Sequence, residues 1–235
     1  MRAANGRSAR ALATACALVC VLPGCGSSQP ARGGLAGIAP ARIVAAARQA
    51  AAGAASVHVE GSILSEGEPI SVNMELLSAK GGAGVLTIHG LTVRVIELDG
   101  FAYVRGNALF YRAIAGARAA RKLQGHWLES YGPHGLLAPF AKLTDIRTLV
   151  AGALARHGTL SRGAPALIDG QRAVAIEDSA NDATLYVAAT GTPYPLRIIE
   201  RGRSRARIVF DRWNRAVTLA APAHAVPAES LEGSR

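Results

Sequence analysis

Cysteine, aromatic residues and acidic residues are all scarce in this chain. Of 235 residues, three are cysteine, 5% are aromatic, and 16 are acidic against 26 Lys or Arg, which gives a formal net charge of +10. Cys16 and Cys20 lie in the first apolar segment, so a chain cleaved before Cys25 would keep a single thiol. One thiol excludes an internal disulfide and a cysteine-rich zinc site. Because only 5% of the residues are aromatic, the interior must be built from Val, Leu, Ile and Ala.

Motifs of catalysis and of cofactor binding are absent as well. The sequence contains no Gly-x-Ser-x-Gly elbow, no His-Glu-x-x-His pair and no glycine-rich phosphate loop. The six histidines, at 58, 89, 126, 134, 157 and 224, show no ligand spacing. A triad assembled in space stays open at this level, because it leaves no local signature. We predict a protein that is not an enzyme and that uses no cofactor and no metal ion.

The first 24 residues have the pattern of a secretory signal. Arg2, Arg7 and Arg10 precede an uncharged apolar run over residues 11–22. A helix of that length spans about 18 Å, well short of the ~30 Å hydrocarbon core of a bilayer. We therefore expect residues 1–24 to direct export and to be removed, and not to remain as a membrane span.

The end of this run, Leu22-Pro23-Gly24-Cys25, resembles the lipobox of bacterial lipoproteins. The resemblance implies that a lipid is attached to Cys25 and that the chain is cleaved before it. Pro23 departs from the pattern, since a small residue is usual there, and its effect on processing stays open. The alternative is an ordinary signal cleaved elsewhere, for instance after Gly24 or Ala31. With lipidation, the partner is a membrane, and the location is its outer, extracytoplasmic face.

The remaining chain predicts one domain between two irregular segments. Residues 25–39 combine the lipidated cysteine with a Gly- and Ser-rich tether, residues 40–222 form the domain, and residues 223–235 lack periodicity and predict a disordered tail. The basic excess would attract anionic headgroups. Nucleic acid is not expected as a partner, because the export signal takes the chain away from it.

Periodicity within the domain predicts helices separated by many strands. Residues 41–52 favour a helix, as do residues 109–123 and 144–157. Period-two alternation and Asp-Gly turns at Asp99-Gly100 and Asp169-Gly170 indicate hairpins. The predicted strands cover residues 57–60, 70–76, 86–88, 91–95, 101–104, 166–168, 173–177, 184–188, 196–201, 207–210 and 217–220.

These elements predict an α+β fold with a large, strongly curved antiparallel sheet and about three helices. A sheet of this size must curl, because strand twist accumulates. Its concave face requires a cover, which is supplied either by the helices alone, giving a dry core, or by helices and an apolar ligand. The pattern of residues leaves both alternatives open.

Several short phrases resemble the LppX/LprG lipoproteins and the wider LolA-like carriers. They cover residues 55–59, 99–104, 125–128, 168–174 and 209–214. His126 replaces the family's usual Lys, and Ala216 replaces a common Pro. The resemblance implies a half-open β-barrel closed by helices, which holds acyl chains of lipids, glycolipids or lipoproteins. It also makes a membrane transporter a candidate partner.

Candidate contacts for such a ligand lie on the apolar faces of the central strands. Each buried CH₂ group contributes about 0.8 kcal/mol, so an acyl chain can be held without any chemistry. The candidate acyl-binding residues are Ile70, Val72, Met74, Leu76, Leu86, Ile88, Val93 and Val95. A second hypothesis keeps the fold and dispenses with the cavity, giving an envelope structural or interaction lipoprotein.

Arginine recurs at every second position over residues 201–207. If this stretch is extended, Arg201, Arg203, Arg205 and Arg207 share one side and form a candidate site for anionic headgroups. The alternative is a solvated hairpin tip.

Aromatic residues offer two further interpretations. Trp127 and Trp213 favour a role in the core. Residues 109–111 predict either a mobile lid or a plain surface helix.

Overall fold

The structure is a computed structural model that describes most of the chain from residue 34 to residue 234. Positions 36, 66, 79–80, 133–134, 136, 139–143, 145, 148–149, 151–153, 155–156 and 203–204 lie outside the described residues. The predicted signal, Cys25 and Arg203 also lie outside them. Residues Gly33–Arg235 form one compact unit.

Thirteen strands and two complete helices make up the described part of this unit. The helices are α1 (Pro40–Ala52) and α2 (Ala108–Leu123), and a 3₁₀ helix (Ala228–Ser234) follows the last strand. The strands are β1 (Ser56–Ser65), β2 (Glu68–Leu77), β3 (Gly81–Ile88), β4 (Leu91–Leu98), β5 (Phe101–Gly106), β6 (Leu128–Tyr131), β7 (Leu160–Arg162), β8 (Ala166–Ile168), β9 (Gln171–Asp178), β10 (Ala183–Ala188), β11 (Pro195–Glu200), β12 (Ala206–Asp211) and β13 (Val226–Pro227).

The strands form one curved, unclosed sheet. Their order is β13-β6-β5-β4-β3-β2-β1-β12-β11-β10-β9-β7, and β8 pairs with β9 beside this path. All pairs are antiparallel except β13 with β6. Strand β1 lies near the centre, between β2 and β12, so the first and last long strands of the chain are neighbours. The predicted α+β class with a large, curved antiparallel sheet is confirmed.

Both helices pack on the same side of the sheet, which we call the inner face. Helix α1 is rich in Ala, begins at Pro40, and buries Ile43, Val44, Ala47 and Ala51. These residues pack with Val57, Val59, Met74 and Leu76 in a first core cluster. Neither helix, nor any other helical segment described, is long and apolar enough to cross a membrane.

Helix α2 covers the other half of the inner face. The side chain of Asn107 caps its start by accepting a hydrogen bond from the N–H of Phe110 at 3.0 Å. Phe110 and Tyr111 are buried in a second core cluster with Leu86, Val93, Val95 and Leu128. Gly116, with φ 77° and ψ 169°, breaks the helix into two parts.

Helix and turn predictions agree with the described residues. The helix expected over residues 144–157 is described at Ile146, Arg147, Val150 and Leu154, which are helical. Both Asp-Gly turns have two central residues with positive φ, at 53° and 83° for Asp99-Gly100 and at 50° and 81° for Asp169-Gly170.

The prediction of a strand over residues 217–220 is wrong, because these residues have no regular structure. Arg212 and Asn214 both adopt positive φ, at 52° and 57°, and turn the chain out of β12. Strand β1 is already paired with β2 on one side and with β12 on the other. Residues 217–220, which follow β12, therefore find no free edge of β1 with which to pair.

The end of the chain also differs from the disordered tail predicted for residues 223–235. Val226–Pro227 pairs with β6, and Ala228 and Leu231 are buried in the second core cluster. The Ser130 hydroxyl donates a hydrogen bond to Oε1 of Glu229 at 2.6 Å. Burial of two apolar side chains holds this segment although it has no periodic pattern.

Candidate functional site

Apolar side chains form successive rows across the inner face of strands β1 to β4. Residues paired across antiparallel strands point to the same side, so the register defines each row. The first row, which we call the rim row, consists of Ile63, Ile70, Ile88 and Leu91. The next contains Val72, Leu86 and Val93, and the third contains Val59, Met74 and Val95.

Exposure falls steadily from the rim row inwards. Ile63 is 36% exposed, and the other members of the rim row are half-buried. Val93 is 3% exposed in the second row, and Val95 is 1% exposed in the third. The deep end is closed by a polar contact in which the hydroxyl of buried Thr144 donates a hydrogen bond to Glu97. The apolar inner face is thus most exposed at the end formed by the β1–β2 and β3–β4 turns, which we call its open end.

Glycine allows two large side chains to lie against the inner face. A Cβ atom at Gly84 would stand 2.6 Å from Cγ of Met74, and one at Gly106 would stand 2.3 Å from Cδ1 of Phe110. Met74 and Phe110 are each 2% exposed. These two side chains occupy space that a larger residue would otherwise fill.

All eight predicted acyl-binding residues lie on the inner face, but their surroundings differ. Met74 and Leu76 are sealed in the first core cluster under α1, and Leu86, Val93 and Val95 are sealed in the second under α2. Ile70, Val72 and Ile88 are only half-buried, and Val72 contacts both clusters. The prediction omitted Ile63 and Leu91, although both continue the period-two alternation of their strands.

A small crevice lies at the opposite side of the inner face. It has a volume of about 50 Å³ and an apolar lining that includes Val44, Leu154 and Ile198. Ligand pockets usually measure about 300–1,000 Å³, so this crevice is too small for an acyl chain as it stands.

Two carboxylates with perturbed pKa values border this crevice. Burial raises the pKa of Glu200, and the negative charge of Asp178 raises it further. Burial would also raise the pKa of Asp178, but hydrogen bonds from the Gly158 N–H, the Asn181 side chain and the Ala180 N–H outweigh it and lower that pKa.

Helix α2 begins beside the open end of the inner face and is basic. The side-chain amide of Asn107, its N-cap, donates a hydrogen bond to the carbonyl of Gly90 in the β3–β4 turn at 2.8 Å. The helix carries no acidic residue. Its basic residues are all exposed, and none forms an ion pair with a described residue; they are Arg112, Arg118, Arg121 and Lys122.

The predicted arginine cluster does not lie along one strand. Strand β11 ends at Glu200, and the antiparallel strand β12 begins at Ala206, so Arg201 and Arg207 lie on either side of a chain reversal. Arg201, Arg205 and Arg207 are all exposed, and Arg201 donates a hydrogen bond to the Thr184 hydroxyl at 3.1 Å. Arg201 and Arg205 are exposed and lie outside the strands, as expected for a solvated hairpin tip and not for one extended array of arginines.

The aromatic predictions have different outcomes. Trp213 packs against the first core cluster and stacks on Tyr194 at 4.5 Å between ring centroids. Trp127 lies outside both clusters, and the guanidinium of Arg105 stands 4.9 Å from its ring centroid.

The mobile lid predicted as one alternative for residues 109–111 does not agree with the packing. Tyr111 is fully buried, donates a hydrogen bond to the carbonyl of His126 and accepts one from the Gly106 N–H at 3.3 Å. Leu109 alone of the three is exposed. Among the residues that the structure describes, no three His, Cys, Asp or Glu side chains are grouped as a metal site would require.

Comparison with solved structures identifies the fold. LprF from Mycobacterium bovis superimposes with a TM-score of 0.55 over 79% of this chain and 97% of its own, at 13% sequence identity. The lipoprotein LppX from Mycobacterium tuberculosis covers 77% of this chain and 98% of its own, with a TM-score of 0.48 and 17% identity. No protein-family model and no curated protein sequence matches the chain. The superposition on LprF shows that this chain shares that protein's fold, in agreement with the predicted resemblance to the LppX/LprG lipoproteins.

Proposed function

We propose that this chain, which has the LppX/LprG-type fold, is a lipid-anchored envelope lipoprotein that carries an apolar ligand on its inner face. The ligand would be a lipid, a glycolipid or the acyl chains of a lipoprotein. The function is binding and transfer, without catalysis.

The observation that carries this proposal is the graded exposure of the inner-face rows. The four apolar side chains of the rim row are partly exposed, and those of the third row are almost fully buried. An acyl chain that enters at Ile63 and Ile70 would meet only apolar surface as far as the row of Val59. Each buried CH₂ group would contribute about 0.8 kcal/mol.

Ligand entry requires the helices to move away from the sheet. Met74 and Val95 are already in contact with the core, so the inner rows are accessible only if packing against α1 or α2 loosens. The break of α2 at Gly116 is a natural position for such movement, since non-helical φ and ψ remove the regular hydrogen bonds there.

The basic surface of α2 suits contact with a membrane. Its exposed cations lie on the helix whose first turn is hydrogen-bonded to the β3–β4 turn, at the open end of the rows. Anionic headgroups attract such residues with about 1 kcal/mol per Lys or Arg near the surface. A domain tethered through lipidated Cys25 would thus present its open end to the bilayer, and a membrane transporter is a candidate partner there.

A second function is favoured by the size of the inner crevice. At about 50 Å³ the crevice is too small for an acyl chain. Such a small crevice is what we expect of an envelope structural or interaction module, which needs no ligand cavity. The two functions differ in whether lipid binds at the rim row.

Native mass spectrometry of residues 33–235 tests the proposal. We expect an adduct that resolves to lipid on denaturation, and we expect Ile70→Asp and Ile88→Asp to reduce its occupancy at least about tenfold, because a charge would be desolvated by the ligand. Leu167→Asp is the matched control, since Leu167 is 68% exposed on β8, outside the rows.

A clean apo mass that persists after incubation with mixed envelope lipids would reject the carrier and favour the interaction module. Globomycin, which blocks lipoprotein signal cleavage, tests the anchor separately. The uncleaved precursor should accumulate in the wild type, whereas Cys25→Ser should release the domain from the membrane fraction or leave it unprocessed.

A further inference from the structure

The outer face of the sheet, opposite the helices, carries a polar groove. Its volume is about 580 Å³, within the usual range of ligand sites. Cross-strand pairing aligns Arg197 with Val209, Glu60 and Asn73 in one row of outward-facing side chains. The neighbouring row contains Arg207, Ser62 and Ser71.

Arg197 is the residue of this groove whose environment needs explanation. Its side chain is 15% exposed, and its Nη2 lies 3.5 Å from Oδ1 of Asp169 in the β8–β9 turn. Nε is buried and makes no hydrogen bond to any described residue. A guanidinium has five N–H donors, and buried donors in folded proteins normally have partners. Arg197 is held in place with its Nε–H donor unpaired.

The partner that Arg197 does have is readily replaced. Asp169 is 71% exposed, and 3.5 Å is long for a charge-assisted hydrogen bond. An ion pair with an exposed carboxylate and a long N···O distance contributes little to stability. An incoming anion with two oxygens can therefore compete with the Asp169 carboxylate for the planar guanidinium.

A second cation and two hydroxyl groups lie within reach of the same point. Arg207 is diagonal to Arg197 across β11 and β12, a relation that separates backbones by about 7–8 Å and lets long side chains meet. Arg207 is exposed and forms no ion pair with a described residue. Ser62 lies opposite Arg207, and Ser71 lies opposite Ser62, so both hydroxyls can donate to an oxygen held between the arginines.

We propose that this outer-face groove binds a small ligand through a phosphate group, with Arg197 as the buried anchor and Arg207 as the second cation. Glu60 and Asp169 also line the groove, so its formal charge is balanced before the ligand binds. These carboxylates disfavour polyanions and accept hydrogen bonds from hydroxyl groups or an ammonium on the ligand. A ligand with a single phosphate group beside such donors is the chemistry that fits. The arginines project from the face opposite the inner-face rows, and the proposal does not depend on the carrier function.

Isothermal titration calorimetry with the full chain in nonionic detergent tests the site. The probes are inorganic phosphate, glycerol phosphate and detergent micelles that contain phosphatidylglycerol. We expect Arg207→Gln to weaken binding about tenfold or more, the loss typical of a charged hydrogen-bond partner. Asp169→Asn should instead strengthen binding, because it removes the competing carboxylate.

Arg215→Gln is the matched control, since Arg215 is exposed and lies outside the groove. Arg207 and Asp169 are exposed, so neither variant is expected to unfold the protein, and circular dichroism verifies this. Arg197→Lys tests the anchor, because it keeps the charge but loses the fork.

The outcomes separate clearly. Binding of glycerol phosphate assigns a soluble ligand, and binding of phosphatidylglycerol alone assigns a lipid headgroup; either supports the site if Arg207→Gln weakens it. Absence of binding to all three probes overturns the proposal. So does a loss of equal size in Arg215→Gln, or an Asp169→Asn variant that binds more weakly, since Arg197 would then serve only to hold the β8–β9 turn.

Discussion

Nδ1 of His58, on β1, lies 2.6 Å from Oδ1 of Asp211, on β12. The His58 side chain is 6% exposed, and its Nε2 lies 3.2 Å from Oδ1 of Asn73 on β2. One buried side chain thus connects three adjacent strands, two of which are separated by 153 residues in the chain.

Removal of the carboxylate from this contact should destabilise the domain. In Asp211→Ala, the buried His58 keeps a nitrogen without its partner, which costs about 1–3 kcal/mol. Urea unfolding followed by circular dichroism measures the change. Glu177→Ala, which removes an exposed carboxylate from β9, should stay within about 0.5 kcal/mol. Equal effects of the two substitutions would contradict a specific role for the His58 contact.

A side chain at Gly84 should disturb the centre of the inner face. The added Cβ would stand 2.3 Å from the carbonyl oxygen of Asn73 and 2.6 Å from Cα of Met74. Both are backbone atoms of β2, so Gly84→Ala should cost about 1–3 kcal/mol through strand displacement. Gly53→Ala is the control, because Gly53 has φ −91° and its nearest neighbour would be 3.5 Å away. A thermal midpoint equal to that of the control would show that β2 and β3 adapt freely.

The stability gained by Glu200→Gln should depend on pH. Burial raises the pKa of Glu200 above the ordinary value of 4.5, and Asp178 adds to the effect. As the pH rises through that range, the unfolded chain loses its proton first, so the wild type loses stability relative to a non-titrating Gln variant. We expect the variant to be the more stable protein at neutral pH, with the gain vanishing well below 4.5. A gain of constant size across this range in urea titrations would refute the assignment.

The C-terminal 3₁₀ helix should contribute to folding. Leu231 is 9% exposed and packs in the second core cluster with Leu128 and Ala228. Leu231→Ala should cost about 2–3 kcal/mol, near the lower end for buried leucines. Leu167→Ala, at 68% exposure, provides the comparison and should be nearly neutral. Should the two variants unfold at the same urea concentration, the packing of residues 228–234 would be irrelevant to stability.

Local patterns were sufficient to predict most strands and the face that each one buries. Alternation over β2 places Ile70, Val72, Met74 and Leu76 on one face of the sheet, because successive side chains of a strand point to opposite faces. The Asp-Gly pairs likewise encode their turns, since they tolerate positive φ at both central residues. Each of these patterns is local, because the residues that form it lie within a few positions of each other in the sequence.

Relationships between distant segments could not be predicted in this way. The outer groove requires Arg197 of β11 to lie beside Arg207 of β12 and near Ser62 of β1, and no local pattern encodes that pairing. The positive φ of Arg212, which ends β12, is equally invisible to residue preferences. Helix packing over the rows was also undetermined, because the same apolar faces suit a ligand or a dry core.

The central position of β1 imposes an order of events on a chain that emerges N-terminus first, from a ribosome or from an export channel. Strand β2 is available to β1 at once, but β12 follows only after some 150 further residues, as the 153-residue separation of His58 and Asp211 indicates. During that interval one hydrogen-bonding edge of a long strand has no native partner and can pair with another chain. Self-association during synthesis, rather than unfolding of the finished domain, is therefore the hazard that this topology creates, and slow emergence of the last third would increase it.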